Sequence, residues 1–254
     1  VHAWVGNFYE NLFLDHIAKE AVSKGFAFLS YNNRGAGFVT DFIKKEKNKR
    51  GYFRAGGSTA KFEDSVLDIS AGIDFVSKRG YNHVVLEGHS LGCQKSVFYQ
   101  YKTQDKRVKG LVLLAPVDDI AYVKGLLGNK YDVQLKLALK MVQDGQGEKP
   151  VPADMAFYPL MNARKYLDIT DPMTIHGRIM DYSGALTELM QIKVPVLAVF
   201  GSKDDYDKKP KKTLKFLEDK LSWDTILIEN ADHWFFGKEK EIGRAITSWL
   251  EMTF

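Results

Sequence analysis

Short runs of uninterrupted apolar residues, Phe26–Leu29, Val84–Leu86 and Leu111–Leu114, constrain this chain more than any other feature. A strand with one face in water alternates apolar and polar side chains, whereas a strand covered by helices on both faces does not. Between the runs lie amphipathic stretches, Tyr9 to Ser23, Phe62 to Lys78 and Gln94 to Lys102. In the second of them Phe62, Val66, Ile69, Ile73 and Val76 recur at helical spacing. The rhythm returns after Pro195 with a strand at Val196–Phe200, a helix at Lys211–Leu221, a strand at Thr225–Ile228 and a closing helix at Glu239–Trp249. Such alternation predicts an α/β protein with a mainly parallel central sheet flanked by helices. Residues 117–191 interrupt it with helical patterns at Ile120–Leu127 and Val133–Val142, a Gly/Pro-rich link from Asp144 to Pro152, and no strong strand run. That is too long for a loop. It predicts a helical cap inserted at 117–191 into a core domain made of 1–116 and 192–254.

Composition narrows the function classes. With 254 residues, 45% of them hydrophobic and 27% charged, the chain is an ordinary globular protein rather than a disordered one. Its 36 basic and 32 acidic residues leave a net charge of +4, with both signs interspersed. The basic runs Lys44–Arg50 and Lys208–Lys212 each read as a solvated loop or helix start, not as a nucleic-acid face. The lone cysteine, Cys93, excludes an internal disulfide and a cysteine-based metal site, and reads as a small buried hydrophobe. His2, His16, His83, His89, His176 and His233 show no metal-ligand spacing, so neither metal nor cofactor is expected. His89 reads as a packing residue and His176 as a surface or cap-core residue. The glycine-rich stretch Arg54 to Thr59 lacks the lysine and spacing of a phosphate loop and reads as a surface turn. No apolar run approaches the roughly 20 residues of a membrane helix, and a cytoplasmic location is expected.

Gly88-His89-Ser90-Leu91-Gly92 directly follows one apolar run and opens a helical pattern. A serine on a sharp strand-to-helix turn is held in a strained backbone conformation, and glycines two before and two after it avoid the resulting clash. The turn lifts the hydroxyl clear of the sheet and aims the Leu91 N–H at the oxygen of a reacting carbonyl. A serine hydroxyl is a weak nucleophile that needs a base, and the base needs an orienting group. Candidates for both follow later strands in chain order. Val196–Phe200 runs into Gly201-Ser202-Lys203-Asp204-Asp205, and Thr225–Ile228 runs into Glu229-Asn230-Ala231-Asp232-His233.

In these features the chain resembles the α/β-hydrolase family over nearly its whole length. The resemblance implies Ser90 as nucleophile, His233 as base and Asp204 as the acid, since Gly201 to Asp204 matches the family's Gly-x-x-Asp. His2-Ala3-Trp4-Val5-Gly6-Asn7 is similar to the family's His-Gly-x-x-Gly oxyanion loop with Ala3 in place of the first glycine, which makes the Trp4 N–H the second oxyanion donor. Tyr31 to Gly37 is similar to the family's Arg-Gly-x-Gly turn. Ala115 to Asp119, Met141 to Gly147 and Pro159 to Leu167 resemble a subgroup that includes fungal siderophore-type esterases, and hydrolases of plant phenolic esters share the plan. In this family the strand leading into the oxyanion loop lies mid-sheet, so residues preceding Val1 are expected in the natural protein.

The expected activity is hydrolysis of a carboxylic ester through an acyl-enzyme at a Ser-His-Asp triad. Tyr122, Tyr131, Phe157, Tyr158, Tyr166 and Tyr182 in the insertion suit a small-molecule ester with an apolar or aromatic acyl group, or else pack the cap onto the sheet. Lys203, Lys208 and Lys209 would steer an anionic substrate. The alternatives are acyl transfer or amide or thioester cleavage on the same triad, and a non-catalytic hydrolase-fold binding protein.

Overall fold

A computed structural model describes residues 1–254. In chain order the elements are α1 (Phe13–Ser23), the strands β1 (Thr40–Glu46) and β2 (Lys49–Ala55), α2 (Ser65–Ser77), β3 (Val84–His89), α3 (Leu91–Thr103) and β4 (Val108–Leu114). There follow α4 (Asp119–Leu127), α5 (Tyr131–Gln143), α6 (Ala163–Thr170) and α7 (Ile175–Ile179). The chain then returns through β5 (Val196–Gly201), α8 (Pro210–Leu221), β6 (Asp224–Ile228) and α9 (Glu239–Thr253). The strands β3-β4-β5-β6 form a four-stranded sheet in that order, every pairing parallel.

The continuous apolar runs are explained by what lies on each side of this sheet. Leu111 and Leu113 of β4, with Ala198 and Phe200 of β5, face a core shared with Ile69, Ile73, Val97, Leu214 and Leu217. Val112, Leu114, Leu197 and Val199 face the opposite core, built from Phe13, Ile17, Ile242, Ile246 and Trp249 of α1 and α9. Successive side chains of a strand point to opposite faces, so covering both faces requires every position to be apolar. The helices between β4 and β5 have a third apolar cluster of their own, including Val123, Tyr131, Met161, Tyr166 and Ile169, and Trp4 packs against it.

Two expectations fail at the start of the chain. The run Phe26–Leu29 is not a strand. It is extended, with Phe26 and Phe28 packed against the α1–α9 core while Ala27 and Leu29 face solvent, and residues 27–32 make no backbone hydrogen bond. Pairing needs a straight neighbour, and residues 2–6 curl away, so only a single bridge forms farther on, between Val5 and Ala36. The basic run Lys44–Arg50 is neither a free loop nor a helix start but the tip of the antiparallel hairpin β1–β2, with Phe42 stacked on Phe53 across the strands at 5.3 Å.

Candidate active site

Because β3, β5 and β6 are parallel, the loops at their carboxyl ends emerge on one edge of the sheet, and this is where Ser90, Asp204 and His233 lie. Ser90 stands between β3 and α3 with φ 53° and ψ −126°, a region that L residues seldom occupy. The surrounding glycines make the turn possible. A Cβ on Gly88 would fall on the carbonyl oxygen of Gly92, and one on Gly92 would fall on that of Val1. The Ser90 N–H donates to Leu114 O at 2.8 Å, tying the elbow to β4. Its hydroxyl is half-buried and carries no hydrogen bond.

Asp204 is buried and fully engaged, whereas its neighbour Asp205 is exposed. Asp204 Oδ1 accepts from the backbone N–H groups of Tyr206 at 2.8 Å and Asp207 at 3.2 Å. Oδ2 accepts from His233 Nδ1 at 2.9 Å, with both side chains out of water. A donating Nδ1 leaves Nε2 of the neutral ring as an acceptor. A Cβ on Gly201 would fall on Ala231 O, so the acid-bearing and histidine-bearing loops cross too closely for any other residue there.

His89 does more than pack. Its buried Nε2 donates to the backbone carbonyl of His233 at 2.9 Å, and the two rings lie 5.1 Å apart. Burial and the neighbouring His233 push its pKa down to about 3, which keeps it a neutral donor. The His233 ring also meets the Tyr206 ring at 4.2 Å, and Tyr206 in turn meets Tyr122 at 4.9 Å. Neither Tyr206 nor this use of His89 follows from residue spacing. The position of Tyr206, two residues past Asp204, was the available signal.

The N-terminal loop turns at Trp4 and Val5, the latter at φ 52°. His2 holds it from below: its Nε2 accepts from Asn33 N–H at 3.1 Å. The Trp4 indole donates to Gly57 O at 2.7 Å, and its ring meets Tyr158 at 4.6 Å. The backbone N–H groups of Trp4 and Leu91 donate to no acceptor within the protein. The stretch Arg54–Thr59 departs from its sequence reading as a surface turn. Ala55, Gly56, Gly57 and Ser58 are buried, because Gly57 must lie flat under the oxyanion-type loop, where a Cβ would strike Val5. Cys93 is fully buried, and its Sγ lies 3.2 Å from both Gly88 O and Leu114 O. His176 is buried in the helical region, with Nε2 2.8 Å from Asp119 Oδ2 and its ring stacked on Phe62. Lys203, Lys208 and Lys209 are exposed around the Asp204 loop.

Known structures share this architecture. The chain superposes over its full length on a structure of Est1E from Butyrivibrio proteoclasticus with ferulic acid bound, at TM-score 0.68 and 16% identity, covering 87% of that chain. It is also similar to a carboxylesterase from the thaumarchaeon Nitrososphaera gargenis, at TM-score 0.56 and 18% identity over 100% of this chain and 89% of that one. A monoacylglycerol lipase from Paleococcus ferrophilus matches at TM-score 0.58 and 18% identity, over 100% and 93% of the respective chains. The fold is the α/β-hydrolase fold, and these neighbours are ester hydrolases. A family model described as "protein of unknown function (DUF1749)" matches residues 53–245. No curated protein matches the sequence.

Proposed function

This chain belongs to the family described as protein of unknown function (DUF1749), and we propose that it is a serine hydrolase of carboxylic esters. The observation that carries the reading is the buried Asp204–His233 pair set on the same sheet edge as a serine in a strained elbow. In this mechanism Ser90 Oγ attacks the ester carbonyl while His233 Nε2 takes its proton. Asp204 fixes the tautomer and stabilises the imidazolium that forms. The tetrahedral oxyanion sits against the N–H groups of Leu91 and Trp4, each worth about 3–4 kcal/mol in comparable sites. His233 then hands its proton to the leaving alcohol, and water, deprotonated by His233, releases the acid from the acyl-enzyme. Nucleophile–base hydrogen bonds are often long before a substrate binds, which accommodates the unpaired Ser90 hydroxyl.

Helices α4 to α7 act as the cap over this centre. The aromatic wall of Trp4, Tyr158, Tyr122 and Tyr206 supports an acyl or alcohol group with an aromatic or apolar body. The test is turnover of p-nitrophenyl esters of graded acyl length by wild type and Ser90→Ala. Hydrolysis that drops by a factor of about 10⁴ or more in the folded variant supports the reading. Equal turnover in Ser90→Ala overturns it, and folded wild type inert to every ester favours a binding protein.

A further inference from the structure

Beside the oxyanion-type loop opens a small cleft of about 20 Å³, whose wall includes Trp4, Leu91, Arg34, Asp68, Lys95 and Lys165. Its charges are unevenly compensated. Arg34 is saturated by carboxylates: its guanidinium bonds Asp68 at 3.0 Å and Asp64 at 2.7 Å. Lys61 stands exposed. Lys95 on α3 and Lys165 on α6 are different, since both are buried, at 6% and 4% exposure. The Lys95 ammonium has one long contact, to His2 O at 3.3 Å, and the Lys165 ammonium has one, to Asp168 Oδ2 at 3.5 Å. Each ammonium carries three donors, so most of this donor capacity is unused in a place where water is scarce. The buried Ser65 hydroxyl, which also lines the cleft, has no partner at all.

Withdrawn ammonium groups that share one cleft repel each other and lack solvation, a combination that a bound anion relieves. We propose that this cleft is an anion subsite, in which Lys95 and Lys165, with the Ser65 hydroxyl, hold a compact oxyanion, a carboxylate or a phosphate, carried by the substrate. That the anion belongs to a substrate rests on the hydrolase reading; that the cleft binds an anion does not. Leu91 and Trp4 are common to this cleft and to the oxyanion position, so the anionic group lies on the same molecule as the scissile ester. Because Lys95 comes from the core and Lys165 from the inserted helices, the ligand also clamps the two together.

Lys95 further sets the pH at which the subsite works. Burial and the neighbouring Lys165 bring its pKa down to about 7, against a weaker upward pull from Asp68. The other charged groups on the cleft wall are Arg34, Lys61 and Asp68, the last engaged by the Arg34 guanidinium; Asp168 lies against Lys165. His2, on the loop that Lys95 contacts, stays neutral with its pKa pushed to about 3. Anion affinity therefore decreases as pH rises through 7.

The experiment follows the thermal midpoint of the full chain at constant ionic strength, titrated with inorganic phosphate, with succinate and with uncharged succinamide. A saturable rise with either anion and none with succinamide is expected, weaker at about pH 8.5 than at about pH 6. A response to phosphate alone marks a phosphate-bearing substrate, and a response to succinate marks a carboxylate-bearing one. In Lys165→Met the apparent Kd should rise about ten-fold or more, and Lys165→Arg should recover most of that loss. Should Lys165→Met fail to fold, Lys95→Met is read in its place. No saturable response to either anion, or an unaltered Kd in the methionine variant, overturns the proposal. Binding is read without turnover, so inert esters with intact anion binding count against the hydrolase reading alone, and Ser90-dependent hydrolysis without anion binding counts against this one alone.

Discussion

At Ser90 a backbone of φ 53° and ψ −126° is kept by what surrounds it: Leu114 O on one side and the glycines at 88 and 92 on the other. The same economy of space recurs at Gly201, where a side chain would displace the loop that carries His233. Gly201→Ala should therefore lower activity at least 100-fold, because misplacement of a catalytic group by about 1 Å already costs that much. Steady-state kinetics beside circular dichroism would check it, and an active variant would show that the crossing loops have slack. Asp204→Asn probes orientation instead. An asparagine keeps an acceptor for the Tyr206 and Asp207 N–H groups but presents either an N–H to His233 Nδ1 or a weaker acceptor, favouring the wrong tautomer. We expect kcat to fall by about 10⁴ with little change in thermal midpoint, and a loss below ten-fold would place the orienting role elsewhere. At this scale the gathering of Ser90, Asp204 and His233 on one edge of the sheet was legible, because each follows a strand-like run. Tyr206 and the His89–His233 contact were not, since ring stacking and a backbone carbonyl leave no mark in residue spacing.

Among the elements, α4 shows how the start of an inserted helix can carry a titration. Asp118 precedes the helix and accepts from Ala121 N–H at 2.8 Å and Tyr182 N–H at 3.0 Å. Burial outweighs those bonds and, with Asp181 and Asp119 nearby, raises its pKa from 3.8 to about 6. The folded state thus holds this proton more tightly than the unfolded chain, so Asp118 contributes a loss of stability as pH rises from about 4 to about 6. Asp118→Asn removes that slope. The thermal midpoint of the variant relative to wild type should shift in the variant's favour by a few degrees between pH 4 and pH 7, on the order of 1–3 kcal/mol. A pH-independent difference would contradict it. The parallel strands β3 to β6 were foreseen within a few residues because double-sided burial writes a continuous apolar run. The hairpin β1–β2 was missed for the opposite reason. Nearly all its residues face solvent, and cross-strand pairs such as Arg54–Asp41 at 2.9 Å hold it without a buried face.

Across the molecule, the sheet's core and the inserted helices meet at Trp4, whose ring packs against apolar clusters of both. Trp4→Ala removes the edge contacts to Phe157 and Tyr158, at 6.0 and 4.6 Å, together with the anchor to Gly57 O. A loss of about 2–4 kcal/mol, or roughly 4–16 °C in thermal midpoint, is expected, along with reduced turnover as the loop bearing its N–H loosens. Unchanged stability would mean that the two parts are held together elsewhere. No helix is long and apolar enough to cross a membrane.

The sequence by itself determined the layered α/β order and the residue types at the carboxyl ends of the strands, because hydrophobic periodicity and glycine placement act over a few residues. Where Phe26–Leu29 lies, that Ala55 to Ser58 are buried, and that Lys95 and Lys165 line one cleft were decided only by tertiary structure. A strand exists only with a neighbour to pair with. A lysine on a helix likewise faces water or the interior according to what packs against that helix, and α3 is buried on all sides from Leu91 to Gln100. Those are relations between segments far apart in the chain, and no local pattern encodes them.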